Sequence, residues 1–277
     1  MREHRLRIGD RDVTLIEGPA GWGEASPLPG YAGGDGASRR AAEESARDGW
    51  PTAVRDTVPV NALVDGGPVD PDALAGFPAV KVKVGRMDPN DDVDLVAAVR
   101  DAVRPAVPLR VDANGAWDTD TAATMIRRLA PYGLELAEQP VARLDELARL
   151  RRRVDVPVAA DECVRSVGDA RCLAALQAAD VVVLKVQPLG GVRTALRVAE
   201  TAGVPALVTS MRETSIGIAA GLALAAALPE LQYACGLAAR MPGGDVVREP
   251  LVPVDGHLRV RGVEPDPALL RRYEVTS

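Results

Sequence analysis

Val80-Lys81-Val82-Lys83-Val84 is a short run of branched apolar residues that carries two of only three lysines in the chain. The third lysine ends a similar run, Val181-Val182-Val183-Leu184-Lys185, whereas thirty residues are arginine (33 basic residues minus three lysines). Arginine stays protonated in proteins, but a lysine in a dry pocket can lose its proton and act as a base. We therefore predict a catalytic role for at least two of these lysines, against the alternative that an arginine-rich composition left three lysines by chance.

The same kind of apolar run recurs along the chain and alternates with longer segments of helical pattern. Eight runs have the pattern of strands, at residues 58–64, 79–84, 108–111, 134–137, 156–160, 181–186, 206–209 and 231–234. Helical patterns lie between them, at residues 91–103, 119–129, 144–153, 167–175, 192–202 and 215–227. Apolar strands that alternate with helices indicate parallel pairing, and eight strands favour a closed barrel over an open sheet. The predicted fold is an α/β, modified (β/α)8-type (TIM-like) barrel whose first crossover, between residues 64 and 79, is degenerate.

Both ends of the chain have a different pattern. Residues 12–17 and 22–25 predict a hairpin, and residues 251–254 and 257–260 predict another around Asp255-Gly256. We expect a small α+β capping domain built from both termini. Residues 1–57 form its N-terminal part, residues 58–240 form the barrel, and residues 241–277 return to the cap. The glycine-rich residues 26–38 predict a mobile loop that closes over the site as a lid.

Three acidic residues follow consecutive strand-like runs. Asp112, Glu138 and Asp161 are separated by 26 and 23 residues (138 − 112 and 161 − 138), about one strand–helix unit each. They are therefore predicted to be neighbours at the carboxyl end of the barrel. Three converging carboxylates repel one another strongly unless a cation neutralises them, and oxygen ligands suit Mg²⁺, with Mn²⁺ as a substitute.

The lysines complete this predicted site. Lys83 ends the second strand and Lys185 ends the sixth, so the two lie opposite each other in an eight-stranded ring. Lys81 lies deeper on the same face as Lys83, and its charge favours the neutral, basic form of Lys83. A base beside a metal-bound carboxylate can remove the proton from the adjacent carbon. The predicted reaction is therefore proton abstraction next to the carboxylate of a small-molecule substrate.

This arrangement resembles the enolase superfamily, and within it the subgroup similar to muconate-lactonizing enzyme, which uses a lysine on each side of the substrate. The motifs that carry the resemblance are Lys81-Val82-Lys83, Asp112-Ala113-Asn114, Glu138-Gln139-Pro140, Asp161-Glu162 and Lys185 followed by Gly190-Gly191. Two further motifs resemble the actinobacterial o-succinylbenzoate synthase family of menaquinone biosynthesis: Gly21-Trp22-Gly23-Glu24 and Val58-Pro59-Val60-Asn61.

The resemblance implies dehydration of 2-succinyl-6-hydroxy-2,4-cyclohexadiene-1-carboxylate to 2-succinylbenzoate. It implies that Lys83 is the base and then the acid that protonates the leaving hydroxide. It also implies that Lys185 stabilises the enediolate electrostatically. The implied Mg²⁺ ligands are Asp112, Glu138 and Asp161.

Further residues near strand ends are predicted to contact substrate or to orient the metal ligands: Lys81, Asn114, Glu162, Gly190, Gly191, Ser210 and Glu213. Several of them have a structural alternative. Asn114 has the alternative of a turn residue and Glu162 that of a salt-bridging acid, and a helix-capping role for Ser210 or Thr214 is the alternative in the segment after the seventh strand. The glycine pair either approaches a substrate carboxylate through backbone N–H groups or makes a tight turn.

Composition excludes several classes of partner. A net charge of −6 and a pI near 5.2 argue against nucleic-acid binding. The longest apolar stretch, residues 216–228, is too short to span a bilayer, and no apolar stretch near residue 1 predicts a signal peptide. The three cysteines form no Cys-x-x-Cys pair, so we expect a reducing, cytoplasmic location. The sequence does not indicate an oligomeric state.

Other functions remain compatible with these residues. N-acylamino-acid racemisation, dipeptide epimerisation and muconate cycloisomerisation would use the same lysine pair. A Schiff-base aldolase would use Lys185 without needing the three carboxylates. A barrel retained only for binding is the third alternative, although no expected catalytic side chain is missing.

Overall fold

A computed structural model of the chain describes residues 1–28 and 34–275, and its centre is a curled parallel sheet of seven strands. The strands follow one another in chain order across the sheet. They are β5 (Ala62–Val64), β6 (Val80–Lys83), β7 (Leu109–Asp112), β8 (Leu134–Glu138), β9 (Val158–Ala160), β10 (Val181–Leu184) and β11 (Ala206–Val208). Most of their residues are buried on both faces, as expected for parallel strands covered by helices. This confirms the predicted α/β class.

Helices connect consecutive strands of this sheet, and the last helix of the set follows β11. They are α2 (Pro71–Leu74), α3 (Pro89–Ala102), α4 (Thr119–Leu129), α5 (Leu144–Arg151), α6 (Val167–Leu176), α7 (Val186–Leu189), α8 (Val192–Ala202) and α9 (Ser215–Ala227), with a 3-10 turn at Ala130–Tyr132. The aspartates that begin α2, α3 and α4 each accept an N–H of the first turn, which fixes where these helices start. The four-residue α2 confirms the degenerate first crossover. None of the described helices is long and apolar enough to cross a membrane.

The predicted eighth strand at residues 231–234 is wrong. Strands β5 and β11 are the two edges of the seven-stranded sheet. Within the described chain, only Cys235 and Gly236 link these edges: Cys235 pairs with Val60 beside β5, and Gly236 pairs with Thr209 beside β11. The predicted strand 58–64 is also divided, into β4 (Thr57–Pro59) and β5. Strand β4 pairs with residues 257–259, and Pro59 has no N–H to donate. Only a few backbone groups are therefore left for an eighth strand to pair with.

The N-terminal residues form an antiparallel sheet of three strands covered by one helix. They are β1 (Arg2–Ile8), β2 (Arg11–Gly18), β3 (Gly21–Ala25) and α1 (Gly34–Asp48). The predicted hairpin of β2 and β3 is confirmed, and β1 is an additional strand. Helix α1 packs so closely on β3 that a Cβ at Gly23 would lie 2.0 Å from the carbonyl oxygen of Ala42. Residues 34–38 are helical, so the loop predicted at residues 26–38 is wrong there, and residues 29–33 lie outside the described chain.

The C-terminal residues contact both parts of the structure. The Asp255-Gly256 turn is confirmed, with both residues at positive φ (47° and 68°), but only Val254 pairs across it with His257. The following strand β12 (His257–Arg259) pairs with β4 rather than with the N-terminal sheet. Helix α10 (Pro267–Tyr273) packs on β1. Met241, Val246 and Val247 also pack with Leu6 and Ile8 of β1, so part of the C-terminal segment meets the expectation of a cap shared by both termini. The domain limits at residues 57 and 240 stay a prediction.

Candidate active site

A pocket of about 500 Å³ opens at the carboxyl ends of the parallel strands. Eight of the predicted residues line it: Lys81, Lys83, Asp112, Asn114, Asp161, Glu162, Lys185 and Ser210. A parallel sheet places the ends of all its strands at one edge, which is why residues far apart in sequence meet here. Glu138 adjoins the pocket, because its carboxylate binds the ammonium group of Lys81.

The three carboxylates lie side by side and are almost completely buried. Asp112 and Glu138 are register partners on β7 and β8, and Asp161 directly follows β9. The Lys81 Nζ lies 2.9 Å from Asp112 Oδ2 and 2.7 Å from Glu138 Oε1. The Lys185 Nζ forms an ion pair with Asp161 Oδ2. As the side chains of residues 1–28 and 34–275 stand, no three acidic, histidine or cysteine groups are arranged to hold a metal ion.

The pKa values of these carboxyl groups reflect how strongly burial opposes their charges. Burial raises the pKa of Glu138, and the charge of Asp112 raises it further. Burial also raises the pKa of Asp161 despite the opposing effect of Lys185. For Asp112 burial acts in the same direction, but the charges of Lys81 and Lys83 outweigh it and lower the pKa. Further positive charge nearby would therefore stabilise the ionised forms of Glu138 and Asp161.

The residues present fit a divalent cation. Glu138 Oε2 is buried and has no hydrogen-bond partner in the described chain, so one oxygen of the set remains available. The other donors are carboxylate oxygens from adjacent strand ends, a ligand type that Mg²⁺ prefers. The lysine contacts to Asp112 and Asp161 would have to adjust for a metal to use those oxygens.

The two predicted catalytic lysines lie on different sides of the carboxylates. Lys83 is on β6 and Lys185 follows β10, with β7, β8 and β9 between them. The Lys83 Nζ lies 2.6 Å from Asp112 Oδ2 and 2.8 Å from Asn114 Oδ1. Its side chain is 14% exposed and that of Lys185 is 10% exposed, so both ammonium groups are largely shielded from water.

The ammonium group of Lys81 contacts two carboxylates, those of Asp112 and Glu138, whereas that of Lys83 contacts only the carboxylate of Asp112 within the described chain. Burial lowers the pKa of Lys81, but the charges of Asp112 and Glu138 outweigh burial and raise it. Lys81 is therefore held in its charged form between two carboxylates. This arrangement suits an electrostatic and structural role, whereas the base must be a lysine that can lose its proton.

Asn114 and Glu162 form a polar link at the edge of the pocket. Asn114 accepts a hydrogen bond from Lys83 and donates one to Glu162 Oε1 at 2.8 Å. The backbone of Asn114 is left-handed, with φ of 47°, a conformation that asparagine tolerates better than most residues. Asn114 therefore fixes the position of the Lys83 ammonium group as well as the turn after β7.

The remaining predicted residues lie in three different places. Ser210 lines the pocket, and its hydroxyl donates to the Ala239 carbonyl oxygen at 3.2 Å. Glu213 is buried away from the pocket wall and accepts the N–H of Met211. Gly190 and Gly191 do not line the pocket but pack against Arg40 and Glu44 of α1. Their position favours the tight turn over contact with a substrate.

Sequence reasoning missed several residues of the site. Gln139, buried at the end of β8, joins β8 to β9, and the pocket wall also includes Asn61, Leu63, Thr209, Arg86 and Arg212. All of them lie on strands or within four residues of a strand end. Their position near strand ends is the signal in the sequence that could have identified them.

Comparison with known proteins gives the same family for both parts of the chain. The model of the enolase C-terminal domain-like family matches residues 72–267, and that of the enolase N-terminal domain-like family matches residues 1–46. The chain is 53% identical over 274 residues to o-succinylbenzoate synthase of Thermobifida fusca (strain YX). The aligned region covers 96% of this chain and 86% of the relative. The chain is 46% identical over 281 residues to o-succinylbenzoate synthase of Mycobacterium leprae (strain TN), covering 98% and 83%.

Solved structures agree in fold. Muconate cycloisomerase from Pseudomonas fluorescens superposes with a TM-score of 0.85 at 26% identity, covering 98% of this chain and 96% of that one. Muconate lactonizing enzyme from Pseudomonas putida has a TM-score of 0.85 at 23% identity, covering 99% and 98%. The second likeness shows the fold alone.

Proposed function

The chain belongs to the enolase superfamily, and from that membership we propose that it catalyses the o-succinylbenzoate synthase reaction with a divalent metal ion and Lys83 as the base. The reaction converts 2-succinyl-6-hydroxy-2,4-cyclohexadiene-1-carboxylate to 2-succinylbenzoate and water. The observation that carries the proposal is the position of Lys83 and Lys185 on either side of three strand-end carboxylates, in a chain about half identical to named o-succinylbenzoate synthases.

Asp112, Glu138 and Asp161 would hold the metal, which we propose to be Mg²⁺, with Mn²⁺ as a substitute. When bound, the ion would neutralise negative charge that develops on the ring carboxylate as the adjacent C–H bond breaks. The donor chemistry and the buried, unpartnered Glu138 Oε2 support this assignment. Lys81 keeps a positive charge between Asp112 and Glu138 and limits their mutual repulsion.

Lys83 performs both proton transfers in the proposed mechanism. Its neutral amine removes the proton from the carbon that bears the ring carboxylate. The C–O bond to the ring hydroxyl on the neighbouring carbon then breaks, and the protonated Lys83 gives the proton to the departing hydroxide. One C–H and one C–O bond are lost, one ring double bond forms, and water leaves. The hydrogen bond to Asn114 keeps the amine in one place for both steps.

Lys185 acts through charge. Its ammonium group approaches the site from β10, the side opposite Lys83, and its ion pair with Asp161 holds it there. A fixed positive charge in a shielded pocket stabilises the enediolate formed after proton removal more strongly than it would in water. This role needs a lysine that stays protonated, in contrast to Lys83.

The relatives favour dehydration over the other reactions of a lysine pair. Racemases, epimerases and cycloisomerases would use the same residues, but the relatives that are 45–53% identical are named o-succinylbenzoate synthase. We further propose a cytoplasmic enzyme of menaquinone biosynthesis, since its product has the ring system and the acyl chain that such a pathway needs. The substrate class is a small-molecule carboxylate.

The test is an ultraviolet assay with the purified chain. We expect the cyclohexadiene absorbance to disappear in the presence of Mg²⁺ and to persist after metal is removed with a chelator. N-acylamino acids and dipeptides, assayed for exchange of the α-proton with deuterated water, serve as competing substrates. Exchange with these compounds and no consumption of the cyclohexadiene would replace the proposed reaction with racemisation or epimerisation.

A further inference from the structure

Two arginines at the mouth of the pocket are linked by one carboxylate. Asp65 Oδ1 accepts a hydrogen bond from Arg86 Nη1 at 2.6 Å, and Asp65 Oδ2 accepts one from Arg212 Nη2. Both arginines line the pocket that contains Lys83 and Lys185. Their side chains are 54% and 40% exposed, so they are accessible to a ligand that enters from solvent.

These three residues lie on one side of the strand ring. Asp65 directly follows β5, Arg86 lies beyond β6 and Arg212 beyond β11. Since Cys235 and Gly236 bridge the ends of the sheet, the loops after β5, β6 and β11 are neighbours. Strands β8 and β9, which lead to Glu138 and Asp161, lie across the ring. The mouth therefore has a metal-binding side and an arginine side.

The loop that carries Arg212 is held in place by a buried contact. Arg11 lies almost entirely out of solvent, and its Nη1 donates to the carbonyl oxygens of Met211 at 2.8 Å and Arg212 at 3.2 Å. The backbone of Arg212 is left-handed, with φ of 58°, which an arginine adopts only when its surroundings require it. The position of Arg212 is thus fixed before any ligand binds.

We propose that Arg86 and Arg212 bind the second carboxylate of a dicarboxylate substrate, the one at the end of the acyl side chain, and so determine specificity for that side chain. This inference rests on the proposed function, in which the ring carboxylate lies on the metal side. A guanidinium has five N–H donors, so a bond to Asp65 leaves donors for a second carboxylate. Leu63 and Met211, which line the pocket beside them, offer apolar contact to the methylene groups of the chain.

A purely structural ion pair is the alternative reading of the same contacts. Exposed ion pairs contribute little to stability, because solvent screens them. Loss of either arginine should therefore leave the fold and the metal side of the pocket intact. What distinguishes a binding role is that the loss of affinity depends on the carboxylate of the ligand.

The experiment compares two ligands that differ only at the end of the side chain. We would measure binding of 2-succinylbenzoate and of 2-butanoylbenzoate, in which a methyl group replaces the terminal carboxylate, by calorimetry in Mg²⁺. The proteins are the unmodified chain, Arg86→Met, Arg212→Met and the double variant. Arg149→Met is the matched control, because the Arg149 side chain is 55% exposed and pairs with one aspartate, as that of Arg86 does.

We expect each single variant to bind 2-succinylbenzoate about tenfold more weakly and the double variant about 100-fold, as for half-exposed charged hydrogen bonds. Affinity for 2-butanoylbenzoate should stay unchanged in all variants, which also reports that the pocket is folded. If the arginine variants keep their affinity for both ligands, or lose it equally for both, the inference is overturned. The proposed function is judged separately, because turnover of the cyclohexadiene by the unmodified chain would still uphold it. If the unmodified chain neither consumes the cyclohexadiene nor binds either ligand, both ideas fail together.

Discussion

The side chain of Gln139 accepts a hydrogen bond from the backbone N–H of Asp161, with 2.7 Å between Oε1 and N. The same oxygen accepts the N–H of Cys163 at 3.3 Å, and the Gln139 amide donates to the Val141 carbonyl oxygen at 2.7 Å. Gln139 is fully buried and therefore joins the end of β8 to the loop after β9 without help from water. The position of the Asp161 carboxylate depends on this side chain.

Removing the Gln139 amide should weaken both the fold and the metal site. Gln139→Ala removes the acceptor of the Asp161 and Cys163 N–H groups and the donor to the Val141 carbonyl oxygen, so we expect the free energy of unfolding to fall by about 2–3 kcal/mol. The freed Asp161 loop should also weaken Mg²⁺ binding about 10- to 100-fold, as for loss of a residue that orients a metal ligand. Urea unfolding and calorimetry with Mg²⁺ measure the two effects. Gln139→Glu retains an acceptor oxygen at this position and should recover part of the Mg²⁺ affinity, and equal losses in both variants would contradict this role.

Metal binding should depend on each strand-end carboxylate. Asp161→Asn removes one ligand charge, so we expect Mg²⁺ affinity to fall by about 100-fold or more and turnover to fall with it. Calorimetry with Mg²⁺ is the measurement. Asp155→Asn makes the same change at an exposed position on the preceding loop and should bind Mg²⁺ normally. Full activity in chelator with no metal retained would refute the assignment of Asp112, Glu138 and Asp161.

Glu213 gives the stability of the fold a specific dependence on pH. Burial and the neighbouring charge of Glu24 together raise the pKa of Glu213 from 4.5 to about 7, although the N–H of Met211 and the charge of Arg11 oppose the shift. A raised pKa in the folded state means that folding takes up a proton in this range. The contribution of Glu213 is therefore complete below pH 4.5 and is lost as the pH rises to about 7.

We predict that Glu213→Gln removes part of the loss of stability between pH 5 and pH 8. The neutral amide needs no proton, so at pH 8 the variant should be more stable than the unmodified chain by on the order of 3 kcal/mol or less. Urea unfolding at both pH values provides the comparison. Glu249→Gln, at an exposed position, should leave the pH dependence unchanged. A Glu213→Gln variant with the same dependence as the unmodified chain would rule out this source.

The core of the site was predictable because strand ends follow a simple geometric rule. Lys83 and Asp112 are register partners, as are Asp112 and Glu138, so equal positions at the ends of successive strands place their side chains together. The rule holds for any residue type. The rule does not predict which side chains pair with each other. The contacts of Lys81 with two carboxylates and the link through Gln139 could therefore be identified only from the structure.

The closure of the sheet was not predictable from apolar runs. Arg110, fully buried on β7, donates to the Ala234 carbonyl oxygen at 2.6 Å and lies over the Tyr233 ring at 5.6 Å. It also pairs with Glu135 at 2.6 Å. These long-range contacts hold residues 233–234 beside the sheet without strand pairing. The apolar pattern of residues 231–234 indicates burial, but strand formation depends on a partner, which β12 supplies to β4 instead.

The two lysines should respond differently to replacement by arginine. General acid–base groups contribute about 10²–10⁴-fold to rate, and Lys83 would serve two proton transfers, so Lys83→Ala should lose at least that much. Lys83→Arg keeps the charge but supplies no neutral base, so it should be as inactive as alanine and should not exchange the substrate α-proton. Lys185→Ala should also be severely impaired, through lost stabilisation of the enediolate.

Lys185→Arg separates a charge role from a proton-transfer role. The arginine keeps the positive charge that the enediolate requires, so we expect measurable dehydration wherever the longer guanidinium fits beside Asp161, and no more than background in both Lys83 variants. All four proteins are assayed after calorimetry has confirmed Mg²⁺ binding and circular dichroism has confirmed the fold. Because arginine stays protonated, activity in Lys83→Arg would mean that Lys83 is not the base. A Lys185→Arg protein that binds 2-succinylbenzoate normally but is as inactive as Lys83→Arg would indicate two bases, one on each side of the substrate, which is the arrangement that racemisation requires.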